Sequence, residues 1–260
     1  MTPVARIRLV HESEQRSILV ANIVANIVEE PNQVCDKVCD EVQPTQCGSH
    51  NCMKLNFADE RILAVVAHPD DAELFCAGTL SRAKTEGATI GICVLCRGDK
   101  GQPSQKVANL GAVRRKEMAA AAKLAGAELF LGEYPDGELA DGRAQRLKLV
   151  EIYRRFRPTL VLAHAPADYH PDHRAAGVLA EAASWFCASR GHQTRSPALA
   201  TPPALWWMDT VNMTAFEPGF YVDITGQVAL KEAMLACHKS QLARGADGDF
   251  SPLLELMRRQ

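Results

Sequence analysis

The chain has 260 residues, 47% hydrophobic and 23% charged, a composition that excludes disordered, fibrous and membrane-spanning classes and leaves room for one sizeable core. With 29 Lys and Arg against 31 Asp and Glu the formal net charge is -2, which gives no electrostatic case for nucleic acid or an anionic membrane and favours a small neutral ligand. The expected compartment is the cytoplasm, with no membrane span, no nucleic-acid partner, and a homo-oligomer compatible with the composition.

The first 52 residues differ from the rest. The longest apolar run, Ile18 to Val28, is broken by Asn22 and Asn26 and falls short of the roughly 18 to 20 residues that cross a bilayer. Glu12 and Glu14 before it, and the lack of a small-residue cleavage site after it, argue against a secretory signal. The stretch from Ser13 to Glu30 reads as helix-like, and Pro31, Pro44 and Gly48 follow among polar residues without periodicity. Residues 1–52 are therefore expected to form a poorly packed, dispensable extension ahead of a single α/β domain at 53–260.

Four of the nine cysteines, Cys35, Cys39, Cys47 and Cys52, crowd into this extension. With His50 they could close a tetrahedral zinc site, but the spacing lacks tight C-x2-C knuckles, so a structural zinc is the minor reading. An odd cysteine count in a cytoplasmic-looking chain argues against a disulfide framework. Cys93 and Cys96 sit in an apolar strand-like run, where residues three apart face opposite ways, so a joint metal or redox role is not expected.

After Met53 the pattern becomes regular. Apolar strand-length runs at 61–67, 89–96, 128–132 and 159–164 alternate with helical spacing at 72–86, 112–125, 142–156 and 173–188. A strand-like segment at 220–224 and a helix at 226–238 follow, and the polar stretch 188–203 reads as a connection. Alternating strands and helices imply a Rossmann-like, mostly parallel sheet with helices on both faces. Ligands of such sheets collect beyond the carboxyl ends of the strands. Neither G-x-G-x-x-G after the first strand nor G-x-x-x-x-G-K-[ST] occurs, so a dinucleotide or nucleoside triphosphate enzyme is not expected.

Those ends carry His68-Pro69-Asp70-Asp71 after the first regular run and His170-Pro171-Asp172-His173 after the fourth. Taken singly, each could be a turn with an Asp helix cap. Two such clusters at similar loop ends of one sheet point instead to a metal site. Two imidazoles and a carboxylate, with positions open to water, suit catalytic zinc, and the same donors suit non-haem Fe2+. Adjacent carboxylates can divide the labour, one binding metal and the other accepting a proton from water, and Asp70 and Asp71 offer that pair. His164 reads as a packed or hydrogen-bonded histidine, and His11, His50 and His192 as solvent residues.

Residues Ala67 to Glu73, continued by Cys76-Ala77-Gly78-Thr79-Leu80, resemble the signature of the PIG-L/LmbE-like metal-dependent de-N-acetylases, and His170 to His173 resemble their second motif. The resemblance extends from about Arg61 to Gln241 and takes in Arg97 to Gly101, Arg114 to Glu117, Tyr134 to Gly137, Tyr221 to Ile224 and His238 to Gln241, with a lean toward the bacterial bacillithiol-type branch. It implies that His68, Asp71 and His173 hold the metal and that Asp70 is the general base. It also implies that His170, oriented by Asp172, is the acid or oxyanion-stabilising group, and that Arg114, Asp136 and His238 bind the sugar. Some relatives place a tyrosine at the oxyanion; Tyr169 is nearby but out of register. The implied activity is zinc-dependent hydrolysis, with Fe2+ as the alternative, of an acetyl group from an N-acetylated amino sugar or glycoconjugate. The rivals are hydrolysis of another amide or ester, and a catalytically silent sugar- or metal-binding protein.

Overall fold

Runs of Val, Ile, Leu and Ala without a polar face become the inner strands of a parallel sheet covered on both sides. The computed structural model describes residues 20–27, 55–246 and 252–259 and shows that arrangement. Its strands are β1 (Val20–Ile27), β2 (Arg61–Val66), β3 (Thr89–Cys96), β4 (Glu128–Tyr134), β5 (Leu160–His164), β6 (Ala204–Met208) and β7 (Phe220–Asp223). They form one sheet in the order β4-β3-β2-β5-β6-β1-β7, each neighbouring pair parallel. The Rossmann-like α/β fold expected from the sequence is the fold observed.

The helices are α1 (Asp71–Phe75), α2 (Ala77–Thr85), α3 (Leu110–Ala125), α4 (Arg143–Phe156), α5 (Pro171–Phe186), α6 (Val228–Leu235), α7 (Lys239–Ala246) and α8 (Leu253–Arg259). Alternate residues of β2 feed two cores. Ile62, Ala64 and Val66 join Phe75, Leu80, Met118 and Met234 on one face of the sheet, and Leu63 and Val65 join Val150, Tyr153, Leu179 and Ala183 on the other. Among the described residues no helix is long and apolar enough to cross a membrane.

Two expectations are corrected and one strand is added. The helix-like stretch contains strand β1, hydrogen-bonded between β6 and β7. Its sequence, VANIVANI, is rich in β-branched Val and Ile, which favour strands, while the two Asn four apart imitate one face of a helix. The backbone of this octet is paired on both sides within the sheet, and the cysteines at 35–52 lie outside the described residues. The helix expected at 72–86 is two, separated at Cys76, whose φ of -140° leaves the helical range. The stretch 188–203 is a connection without helix or strand, and it leads into a strand that the sequence reading leaves unassigned, β6, whose Leu205, Trp206, Trp207 and Met208 are buried beside β5.

The sheet order places the site. From β2 the chain goes outward through β3 and β4, then returns to set β5 on the other side of β2. The crevice at that reversal lies between the carboxyl ends of β2 and β5, which are followed by the two His/Asp clusters.

Candidate active site

A cleft of about 520 Å³ opens at this crevice and is lined by His68, Asp70, Asp71, His170, Asp172 and His173, with Arg114, Asp136 and Tyr169 at its sides. Helix α5 reaches it because Gly177 lets the helix lie against β5: a Cβ there would stand 2.4 Å from the His164 carbonyl oxygen. His173 sits one turn before that glycine, and Pro171 at the first position of α5 has no N–H to leave unpaired.

Asp71 is the centre of the cluster. Its Oδ2 accepts from the His68 backbone N–H at 2.7 Å and lies 3.5 Å from His68 Nδ1 and 3.2 Å from His164 Nε2; its Oδ1 lies 3.4 Å from His173 Nε2. Burial works to raise the Asp71 carboxyl, but the charge of His173 and the imidazoles around the carboxylate hold it well below the usual carboxylate range.

The far side of each imidazole meets a second carboxylate. His68 Nε2 is 3.0 Å from Asp172 Oδ2, and His173 Nδ1 is 3.2 Å from Asp168 Oδ1, with the N–H off the direct line to that oxygen. Burial alone would lower both imidazoles. Asp172 and Asp71 overcome it and raise His68 to about 10, and Asp71 and Asp168 raise His173 to about 9. His164 stacks on His173 with ring centroids 4.0 Å apart and accepts from the Ala67 N–H; burial and the His173 charge push it down to about 4, so it is neutral. It is packed and hydrogen-bonded as the sequence suggests.

This donor set fits a divalent metal. Two imidazoles, each braced from behind by a carboxylate, turn their other nitrogen toward one ionised aspartate, which is the arrangement of metal-ligating histidines. Donor atoms within 4.8 Å of one another occur for His68 with His170 and His173, and for Asp71 with His164 and His173. The expected trio of His68, Asp71 and His173 is drawn from these two overlapping sets.

Asp70 faces elsewhere. Its backbone is left-handed, φ 105° and ψ -24°, a conformation that costs a non-glycine residue about 1–3 kcal/mol and turns its side chain away from that of Asp71. Asp70 Oδ2 lies 2.9 Å from Arg114 Nη2. Burial and the Asp71 charge raise the Asp70 carboxyl against the opposing pull of Arg114. Arg114 is itself buried, and also donates to the carbonyls of Pro69 and Gly98, so these bonds steady Asp70 and its loop.

His170 is held differently from the expectation. The Asp172 carboxylate is engaged by His68 and the Gly137 N–H; it is the Asp172 backbone N–H that donates to His170 Nδ1, at 3.2 Å. The correction follows from helix geometry, since His170 caps α5 and its ring folds back on the first free amides while the Asp172 side chain leaves in another direction. Burial and the charges of His173 and His68 lower the His170 pKa. A neutral ring that accepts at Nδ1 carries its proton on Nε2.

Two other expectations shift. Asp136 lines the cleft, but its oxygens accept from the backbone N–H groups of Gly98 and Lys100, anchoring the loop after β3. His238 is fully buried outside the cleft lining, with Nε2 3.3 Å from Glu73 Oε2, because the α6–α7 turn tucks under α1. Tyr169 is half-exposed at the cleft, edge-on to His170 and His173. Asp168 was not singled out from the sequence; its only signal is its place two residues before His170.

A family profile described as PIG-L, GlcNAc-PI de-N-acetylase, matches residues 63–184. The chain is similar to 4-oxalmesaconate hydratase of Pseudomonas putida, 26% identical over 76% of this chain and 81% of the hydratase. It is also similar to diacetylchitobiose deacetylase of Thermococcus kodakarensis, 27% identical over 70% of each chain. The crystal structure of the conserved protein TT1542 from Thermus thermophilus superposes with a TM-score of 0.66 at 36% identity, covering 77% of this chain and 85% of that one.

Proposed function

The chain belongs to the PIG-L family, and on that premise we propose that it hydrolyses the acetamide of an N-acetylglucosaminyl-type substrate, releasing acetate and a free amine. The observation that carries this reading is the separation of adjacent aspartates: Asp71 is ringed by imidazoles, whereas Asp70 is held apart by Arg114 with its carboxyl raised. A protein that only binds has no use for such a division.

His68, Asp71 and His173 would hold the ion, for which nitrogen and oxygen donors suit zinc, with Fe2+ as the alternative. A divalent ion there supplies Lewis-acid polarisation of an acyl oxygen and a lowered pKa for water. Asp70 takes the proton of the attacking water, as a carboxylate of raised pKa held by Arg114 can do. His170 Nε2–H, set by the bond at Nδ1, donates to the oxygen on which negative charge develops. The proton held on Asp70 then passes to the nitrogen as the C–N bond breaks.

The similarity to a hydratase sets the rival, in which water adds to the substrate and no acetate leaves. The test is acetate release from a panel of N-acetylglucosaminides by protein stripped with a chelator and reloaded with zinc or Fe2+. Acetate that appears only after reloading is the expected result; no acetate from any member, or release undiminished by stripping, overturns the reading.

A further inference from the structure

We infer that Asp168 positions two imidazoles of the site at once, fixing which nitrogen of His173 faces Asp71 and where His170 stands at the start of α5. One buried oxygen makes both contacts: Oδ1 accepts from the His170 backbone N–H at 2.8 Å and lies 3.2 Å from His173 Nδ1. The residue is itself locked in place. Its N–H donates to the Ala165 carbonyl at 3.1 Å, and its own carbonyl accepts from Arg174 Nη1 at 2.9 Å, tying the loop after β5 to the first turn of α5. Oδ2 has no hydrogen-bond partner among the described residues, so the charge is not spent on another donor.

The first consequence follows from the carboxylate charge 3.2 Å from Nδ1, and the second from the hydrogen bond to the His170 N–H. A carboxylate against Nδ1 keeps a proton there, which leaves Nε2 as the nitrogen offered to Asp71 and to an ion beside it, and makes it a stronger donor. Holding the His170 N–H places that residue where its ring accepts from the Asp172 N–H, and so where Nε2–H can point into the cleft. Asp172 does for His68 what Asp168 does for His173, with the Gly137 N–H steadying it from behind. The two metal-facing imidazoles are thus braced by carboxylates from opposite sides of the second motif, one inside it and one just before it.

This inference rests on the metal-site reading above, and its test separates the two. In the full chain, Asp168→Ala and Asp168→Asn are compared with the unaltered protein by zinc affinity, in competition with a chromophoric chelator, and by the proton resonance of the His173 ring Nδ1–H. The Ala variant is expected to bind zinc about 10- to 100-fold more weakly and to lose that resonance to solvent exchange. The Asn variant keeps an acceptor oxygen without the charge, so it should keep the resonance and fall between the two in affinity; it also carries the test if the Ala variant does not fold. Zinc affinity within twofold and an unchanged resonance in folded variants overturn the inference. If the unaltered protein binds no zinc, the metal reading fails, and the resonance alone still decides whether Asp168 holds His173.

Discussion

Lys231, on α6, is 2% exposed, and its Nζ has no hydrogen-bond partner among the described residues. Burial lowers its pKa from 10.5 to about 7, with only Cys76 pulling the other way. That drop corresponds to about 5 kcal/mol of burial cost at and below pH 7, at about 1.4 kcal/mol for each pH unit. In the unfolded chain Lys231 keeps its proton up to about 10.5, whereas in the folded chain it releases it near 7. Between those values the unfolded state binds more protons, so this group makes stability rise with pH through that window. Lys231→Met keeps the stem and removes the charge, so it should stabilise the protein most at pH 7 or below, by at least about 2 kcal/mol after relaxation, and progressively less toward pH 10.5. Urea unfolding of both proteins at several pH values across the window measures the difference. A gain that does not shrink as pH rises, or a loss of stability at pH 7, would show that Lys231 is not buried as an uncompensated charge.

Three further outcomes are expected. Asp70→Asn should keep bound metal near the unaltered level while turnover falls by about 100-fold or more, whereas His173→Ala should lose metal and turnover together, both measured after dialysis. Gly177→Ala drives a Cβ to 2.4 Å from the His164 carbonyl, so it should cost about 1–3 kcal/mol in denaturant unfolding and weaken zinc binding, because α5 must lift His173 away from Asp71. A chain starting at Met53 lacks β1, so β7 loses its link to the sheet and thermal unfolding should move to lower temperature; an unchanged transition would show that the extension is dispensable.

The sequence makes legible those features in which position along the chain fixes position in space. The apolar runs of β2, β3 and β5 can only be inner strands, and the loop that leaves an inner parallel strand must lie at the ligand end of the sheet. His68 and His173, more than 100 residues apart, could therefore be placed together. Side-chain direction is where that reasoning stops. Nothing in the order His-Pro-Asp-His says that the Asp172 carboxylate crosses to His68 while its backbone N–H serves His170. Asp168 and Arg114 act through directions set by a turn and by helix packing, so the sequence gives no reason to single out Asp168 and points Arg114 at the sugar, whereas the fold turns it to Asp70. For β1, periodicity and β-branching gave opposite answers, and pairing on both sides decided for the strand.

Hydrolysis of the acetamide C–N bond takes one oxygen of the released acetate from solvent. The decisive measurement is turnover of a methyl N-acetylglucosaminide by the zinc-loaded protein in water labelled with oxygen-18. Acetate and primary amine are expected in equal amounts, with one labelled oxygen in each acetate formed in a single turnover. Label retained in an intact, hydrated product without acetate, or acetate released without label, contradicts hydrolysis of that bond.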